Sequence, residues 1–463
     1  MSTGETGLPM PRRIQAIIAI SLGTALLVVD NAVSIVALPT IAADFGVPAS
    51  ASVAVVVVYQ LVLLMAILPF SALGDRIGHK RLYQSGQAVF LAATLVSAFA
   101  VDLPMLLAGR AAQAFGVAAA LSVSSAMLRR IYPASNLGRG FGINSVIIAF
   151  SAALAPTLGG LLLGLGVWRW VFAAAAPFAI LSLVLGRSLP DSAPGTAPYD
   201  LSGAVSCALV FGAVIGGLQL LAQGGRTMMA AALTIAGMVG GWLFIRRERT
   251  RLNPTLPVDL LGRPIFALSA LAALGAFTAS LCFSLSLPFR LENVHGFSPP
   301  QVGLMMAAWP LAMMAAAPVA GWLSDRAPRG VLGGTGMIIT AAGLCLMAIT
   351  PVDAGVFRLG LPLVLGGAGF GLFVAPNAHQ IVGSAPPHRT ASAGAIISTT
   401  RLVGSALGAT ILAGLFWLGL GEGPAPSLAA AACVIAAAVC SFANLLFARN
   451  PKHGKRQIDH APL

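Results

Sequence analysis

Leu73-Gly74-Asp75-Arg76-Ile77-Gly78-His79-Lys80-Arg81 is a short acidic-basic loop that follows one long apolar run and precedes another. It returns in degraded form as Leu323-Ser324-Asp325-Arg326-Ala327-Pro328-Arg329, with Asp325 standing 250 positions after Asp75. A repeat at that distance makes the chain two related halves. A charged turn between two apolar runs at the same place in each half points to a polytopic transporter.

Composition supports the membrane. Of 463 residues 57% are hydrophobic and 9% charged, where a soluble domain carries roughly a quarter charged residues. One core cannot hide that much apolar surface, so lipid must be the solvent. The net charge of +13 does not indicate nucleic-acid binding, because the basic residues are scattered in small clusters between apolar runs and form no concentrated basic face. Cys207, Cys282, Cys345, Cys433 and Cys440 lie inside apolar runs and form no CxxC. Cys433 and Cys440 share a helix face about 10 Å apart along the axis, too far for a disulfide. They read as small packing residues, and no metal site is expected.

A helix needs about 20 apolar residues to cross the hydrocarbon core. That ruler gives fourteen spans: 14–37, 51–73, 82–100, 104–128, 141–164, 169–187, 201–222, 227–245, 264–288, 301–323, 331–350, 358–383, 391–418 and 426–447. The first, after Arg12-Arg13, is longer than a signal-peptide core and contains Asp30, so it reads as a retained span. With both termini in the cytoplasm, inner segments hold 21 of the 27 basic residues and outer segments four: Arg169, Arg226, Arg290 and Arg358. That asymmetry fixes the expected orientation.

The two charged loops follow spans 2 and 10, so eight spans separate them. Two six-span halves alone would separate them by six. The extra pair, 201–222 and 227–245, therefore reads as an inserted hairpin. The expected organisation is an N-terminal six-helix half over 1–187, linker and hairpin over 188–263, a C-terminal six-helix half over 264–447 and a cytoplasmic tail over 448–463. The expected fold class is an all-α polytopic membrane protein of two six-helix bundles plus a hairpin, with its site near the midplane, as in secondary transporters. Gly159-Gly160, Gly366-Gly367-Ala368-Gly369 and Gly404 to Gly408 read as close helix contacts. No GxxxxGK[ST] accompanies them, which argues against an ATP-driven pump.

Asp30 is the one acid well inside a span. An ionisable group there is costly and by default functional. Asp30 lies seven residues before the outer end of span 1, and Arg110 six residues after the outer end of span 4, so they share a depth. They are expected to pair, or to compete for one proton. A change in their separation would load or release it, since an opposite charge favours the ionised acid and desolvation the protonated one. Ser34 and Gln113, one turn away on the same faces, are expected to complete the site. Tyr59, Gln60, Asn144, Asn377 and Arg401 are candidates to line the cavity, though interhelical hydrogen bonding explains each equally well. His379 is a weaker candidate for a proton relay. Trp168-Arg169-Trp170 reads as an interfacial aromatic anchor.

With these residues in view, the chain resembles the major facilitator superfamily, and within it the fourteen-span drug:proton antiporters, over nearly its whole length. Ser71-Ala72-Leu73-Gly74-Asp75-Arg76-Ile77-Gly78-His79-Lys80 resembles the signature loop between spans 2 and 3. Arg110-Ala111-Ala112-Gln113 resembles the span 4 motif tied to proton coupling. Ala155-Pro156-Thr157-Leu158-Gly159-Gly160 resembles the span 5 antiporter motif, which bends that helix. Asp30-Asn31-Ala32-Val33-Ser34-Ile35-Val36-Ala37-Leu38-Pro39 and Trp168-Arg169-Trp170-Val171-Phe172 resemble the group's spans 1 and 6. Ile35 departs from the group's usual asparagine and removes a hydrogen-bonding group beside Asp30.

The resemblance implies that Asp75, Arg76, Gly78, Lys80 and Arg81, echoed by Asp325 and Arg326, form a conformational latch, with Pro156, Gly159 and Gly160 at a helix bend. It implies a monomeric exporter in the inner membrane that moves amphipathic, preferentially cationic, small molecules. No cofactor is expected, and the proton gradient supplies the energy. The rival expectation is a transporter for one metabolite, peptide or siderophore, symporters included, because two span arginines against one acid leave anionic substrates open. A membrane enzyme or sensor fits poorly, since there is no HExxH, no paired intramembrane carboxylates and no loop long enough for a soluble domain.

Overall fold

The computed structural model describes residues 8–133, 137–191, 200–222, 224, 227–249, 258–324, 326–386 and 389–448. The described residues are helical almost throughout, as an apolar chain must be where no water satisfies the backbone. Thirteen helices or helix pairs among them are long and apolar enough to cross a membrane. The remaining long helix is α5 of the series below, His79–Ala98. It is equally long, but its first turns carry His79, Lys80, Arg81, Gln84 and Gln87, which dilute its hydropathy.

In chain order the N-terminal helices are α1 Met10–Val36, α2 Leu38–Phe45, α3 Ala49–Ser52, α4 Ala54–Ile77, α5 His79–Ala98 and α6 Leu103–Ile131. They continue with α7 Leu137–Gly164, α8 Arg169–Ala173, α9 Ala176–Leu185, α10 Leu201–Ala222 and α11 Thr227–Arg249. Next come α12 Pro264–Phe289, α13 Pro299–Ser324, α14 Arg329–Ala348, α15 Val356–Ser384, α16 Thr390–Trp417 and α17 Ala425–Ala448. The sixth expected span is two helices, α8 and α9, separated by the turn at Ala174-Ala175. Helix α6 starts where Asp102 caps it, accepting from the Met105 amide at 2.8 Å, with Pro104 placed where no amide is needed.

The chain forms two compact units. Unit 1 holds Met1–Phe244, Leu285–Ala307 and Ala413–Glu422; unit 2 holds Ile245–Ser284, Ala308–Leu412 and Gly423–Leu463. In unit 1, α5 packs on α6 through Gly86 and Gly116. A Cβ on either would lie within 2.7 Å of the other's carbonyl oxygen. In unit 2, α14 packs on α15 through Gly336 and Gly369 with the same reciprocal closeness, 2.6 and 2.5 Å. Gly336 stands 250 positions after Gly86, the offset of the charged loops, and Gly369 stands 253 after Gly116. The internal repeat is thus physical. Each unit carries this glycine crossing at the matching place, where any side chain would force two backbones apart.

Candidate functional site

The span 1 acid and the span 4 base meet inside unit 1. Arg110 Nη1 donates to Asp30 Oδ2 at 2.6 Å, with side-chain exposures of 0% and 1%. The same Nη1 reaches Gln113 Oε1 at 2.8 Å, and Gln113 Nε2 donates to Asp30 Oδ1 at 3.3 Å and to Thr94 Oγ1 at 2.9 Å. Arg110 Nε contacts the Val55 carbonyl at 3.5 Å, while its Nη2 is buried with no hydrogen-bond partner among the described residues. The guanidinium lies 4.2 Å over the Tyr59 ring and 5.7 Å from that of Phe172.

Helix geometry explains why these groups converge. Arg110 and Gln113 are three apart on α6 and therefore share a face, and the glycine crossing draws α5 close enough for Thr94 to reach Gln113. A buried pair repays its desolvation only with such added hydrogen bonds. Here the carboxylate has two donors and the guanidinium keeps its Nη2 spare, so the cluster is otherwise satisfied.

Ser34 is wholly buried, but its hydroxyl donates to the Asp30 backbone carbonyl at 2.6 Å rather than to the carboxylate. It shapes α1 and does not complete the acid's coordination. Gln60 is buried beside Tyr59, and Asn144 is half-buried with an Oδ1 that has no partner among the described residues. In unit 2, Asn377 donates to the Ser269 carbonyl at 3.1 Å, and Asn444 donates to the Ser269 hydroxyl. These bonds tie α12, α15 and α17 together. Arg401 and His379 are exposed.

Sequence reasoning passed over Thr94, Phe172 and the Val55 carbonyl. Phe172 lies in a quoted motif, yet that motif read as an interfacial anchor. The structure corrects this for Trp168, which is 2% exposed and donates from Nε1 to Asp44 Oδ2 at 2.8 Å. Arg169 reaches the same carboxylate at 3.2 Å and the Ala100 carbonyl at 3.1 Å. Only Trp170, 52% exposed, has an anchor's setting.

The charged loop is a second polar centre of unit 1. Gly78 adopts φ +95°, which a side chain would resist. Asp75 contacts His79 Nε2 at 3.0 Å, and Arg76 and Arg81 are exposed. Lys80 reaches past this loop to Asp191, beyond α9, at 3.0 Å. Arg12 lies 3.9 Å from the same carboxylate and donates to the Ser188 and Leu189 carbonyls. Arg130 donates to the Asp191 carbonyl at 3.4 Å. The Lys80 hydrogen bond, then its charge, hold the Asp191 carboxyl below the usual carboxylate range. Asp325 lies outside the described residues, and Arg326 stacks 4.0 Å over Trp322.

On α7, Pro156, Gly159 and Gly160 are buried. A Cβ on Gly160 would meet the Pro299 carbonyl at 2.6 Å and the Gly303 Cα at 3.0 Å, and one on Gly159 would meet Val33. The segment is a backbone-to-backbone seat for the start of α13.

Comparison with known proteins agrees with this architecture. The chain is 41% identical over 437 residues to the uncharacterized transporter YebQ of Escherichia coli (strain K12), covering 94% of this chain and 96% of that protein. It is 28% identical over 411 residues to the riboflavin transporter RibZ of Clostridioides difficile (strain 630), covering 88% and 89%. It is 29% identical over 426 residues to the multidrug efflux pump LfrA of Mycolicibacterium smegmatis (strain ATCC 700084 / mc(2)155), covering 90% and 84%. The family model of the Major Facilitator Superfamily matches residues 20–198 and 201–409. With helices of membrane length and a buried ion pair among them, the chain is a multi-pass membrane transporter, not an enzyme, and belongs to the Major Facilitator Superfamily.

Proposed function

We propose that this transporter exports amphipathic organic compounds, cations among them, in exchange for protons, and that Asp30 and Arg110 couple the two movements. The observation that carries this reading is the buried Asp30–Arg110–Gln113 cluster. An acid so deep changes its charge only when its surroundings change, because its stability as an anion rests on one guanidinium and one carboxamide. Separating α1 from α6 favours the protonated acid, and bringing them together expels the proton. A cationic substrate competes with that proton for the same carboxylate. LfrA, by name a multidrug efflux pump, lends support from a relative.

The reading includes fourteen spans arranged as halves 1–187 and 264–447 around an inserted hairpin. Both termini are cytoplasmic, the inner membrane is the site of action and the working unit is a monomer. Asp75, Arg76, Gly78, Lys80 and Arg81, with Asp325 and Arg326, act as the cytoplasmic latch. The Pro156–Gly160 segment acts as the antiporter motif that bends α7, at its close backbone seat for the start of α13. A transporter dedicated to one metabolite is the second reading, favoured by RibZ, a riboflavin transporter by name.

The test is efflux into inverted vesicles energised by a proton gradient, with substrates chosen from a resistance screen of expressing cells. Asp30→Asn is expected to abolish gradient-driven transport, and Arg110→Ala to abolish substrate-induced proton release. Full gradient-driven activity in Asp30→Asn removes Asp30 from the mechanism.

A further inference from the structure

Arg401 stands eleven residues into α16, about 16 Å from its start and about 24 Å from its end. It is exposed, and among the described residues it has neither a hydrogen bond nor an ion pair. A guanidinium at that depth is costly against lipid unless it meets water or an anion. Its helix face carries further polar groups. Ser398 and Ser405, three before and four after, flank it there. Arg110 is neutralised by Asp30, whereas Arg401 has no such acid among the described residues.

One turn further along, Gly404 seats against α12. A Cβ there would lie 3.1 Å from the Phe277 Cβ. Phe277 begins a run of rings through unit 2: Phe277 to Phe370 at 5.7 Å, Phe370 to Trp309 at 6.1 Å and Trp309 to Phe283 at 5.4 Å. Phe283 and Phe370 are buried, whereas Phe277 and Trp309 are only half-buried and keep free surface. The repeat shows what this replaces. Trp309 stands 250 positions after Tyr59, and Gly366 stands 253 after Gln113. Where unit 1 places a carboxamide, unit 2 has no side chain, and the Trp309 indole comes so close that a Cβ on Gly366 would lie 2.2 Å from it. The polar cluster of one unit is an aromatic wall in the other.

We propose that Arg401 and the Phe277–Trp309 aromatic wall form a binding subsite for a planar aromatic compound bearing a carboxylate or similar oxyanion. The rings take the apolar body by stacking. The guanidinium fork takes the oxyanion through two parallel hydrogen bonds, which a lysine cannot reproduce. This rests on the transporter reading above and adds a substrate class to it, because the subsite favours zwitterions and anions over simple cations.

The test is equilibrium binding, by fluorescence anisotropy, to the full chain in lipid nanodiscs without any gradient. The probes are a rhodamine with a free carboxylate and its methyl ester. The wild-type chain is expected to bind the free acid more tightly than the ester. Arg401→Gln should weaken the acid at least tenfold and the ester less than twofold, with ester binding serving as the check that the variant is folded. Arg401→Lys should weaken the acid several-fold and spare the ester, and Phe277→Ala should weaken both. Equal binding of acid and ester by the wild type, binding of neither, or an equal loss of both in Arg401→Gln and Arg401→Lys overturns the proposal. Intact discrimination without gradient-driven efflux would instead remove proton coupling and leave the subsite standing.

Discussion

Lys80, in the first turn of α5, holds Asp191 at 3.0 Å, so the chain leaving α9 is fastened to the charged loop. The Asp191 carboxyl is held below its usual range by that hydrogen bond and charge. A lowered carboxylate contributes stability above its unfolded pKa of about 3.9 and loses it only as pH falls through the lower folded value. The fastening is therefore intact from about pH 5 to 8. Asp191→Asn should speed amide exchange across residues 186–191 at about pH 7, where the carboxylate is ionised. High salt should bring the wild type toward the variant, since exposed pairs are screened. Identical exchange in the two proteins would show that the contact holds nothing.

The Asp30–Arg110 pair makes a prediction about stability separate from transport. Arg110→Ala leaves a buried carboxylate with one weak donor and should cost about 3–5 kcal/mol. Asp30→Asn keeps the shape and should cost less. The double variant Asp30→Asn/Arg110→Leu should recover part of the loss, because no lone charge remains buried. Thermal unfolding of the purified protein reads all three, and strictly additive effects would contradict the pairing.

Glycine crossings should be intolerant and open glycines indifferent. Gly336→Val drives a side chain against the Gly369 carbonyl and should cost at least the roughly 1–3 kcal/mol of core overpacking, seen as lost monodisperse protein. Gly321 has open space where a Cβ would stand, with nothing within 4 Å of it, and should accept alanine without loss.

Trp168→Phe deletes the bond to Asp44 and should lower stability by about 1 kcal/mol or more. Trp170→Phe, at an exposed position, should not. Equal melting points for the two variants would return Trp168 to a purely interfacial role.

The helical architecture was legible because hydropathy reports depth in the bilayer. Depth alone also brought Asp30 and Arg110 to one level. The rest depended on directions that a sequence does not carry. Ser34 lies on the expected face, but its hydroxyl turns back to its own helix. Thr94 is indistinguishable in sequence from any small polar residue of a span until the glycine crossing brings α5 to Gln113. Asp191 sits in a Pro/Ser-rich stretch with no period to mark it. Trp168 and Trp170 are two apart, and opposite helix faces gave them opposite fates.

The ion pair also has an electrical consequence. Joined, Asp30 and Arg110 sum to zero and present no net charge to the voltage across the bilayer. Under proton exchange, protonation of Asp30 leaves the Arg110 charge uncompensated, and a full unit of charge is worth about 2.3 kcal/mol per 100 mV. The potential then acts on the protonated carrier and leaves the deprotonated one almost untouched when its cargo is neutral, whereas a monovalent cationic cargo restores the same charge to the other half of the cycle.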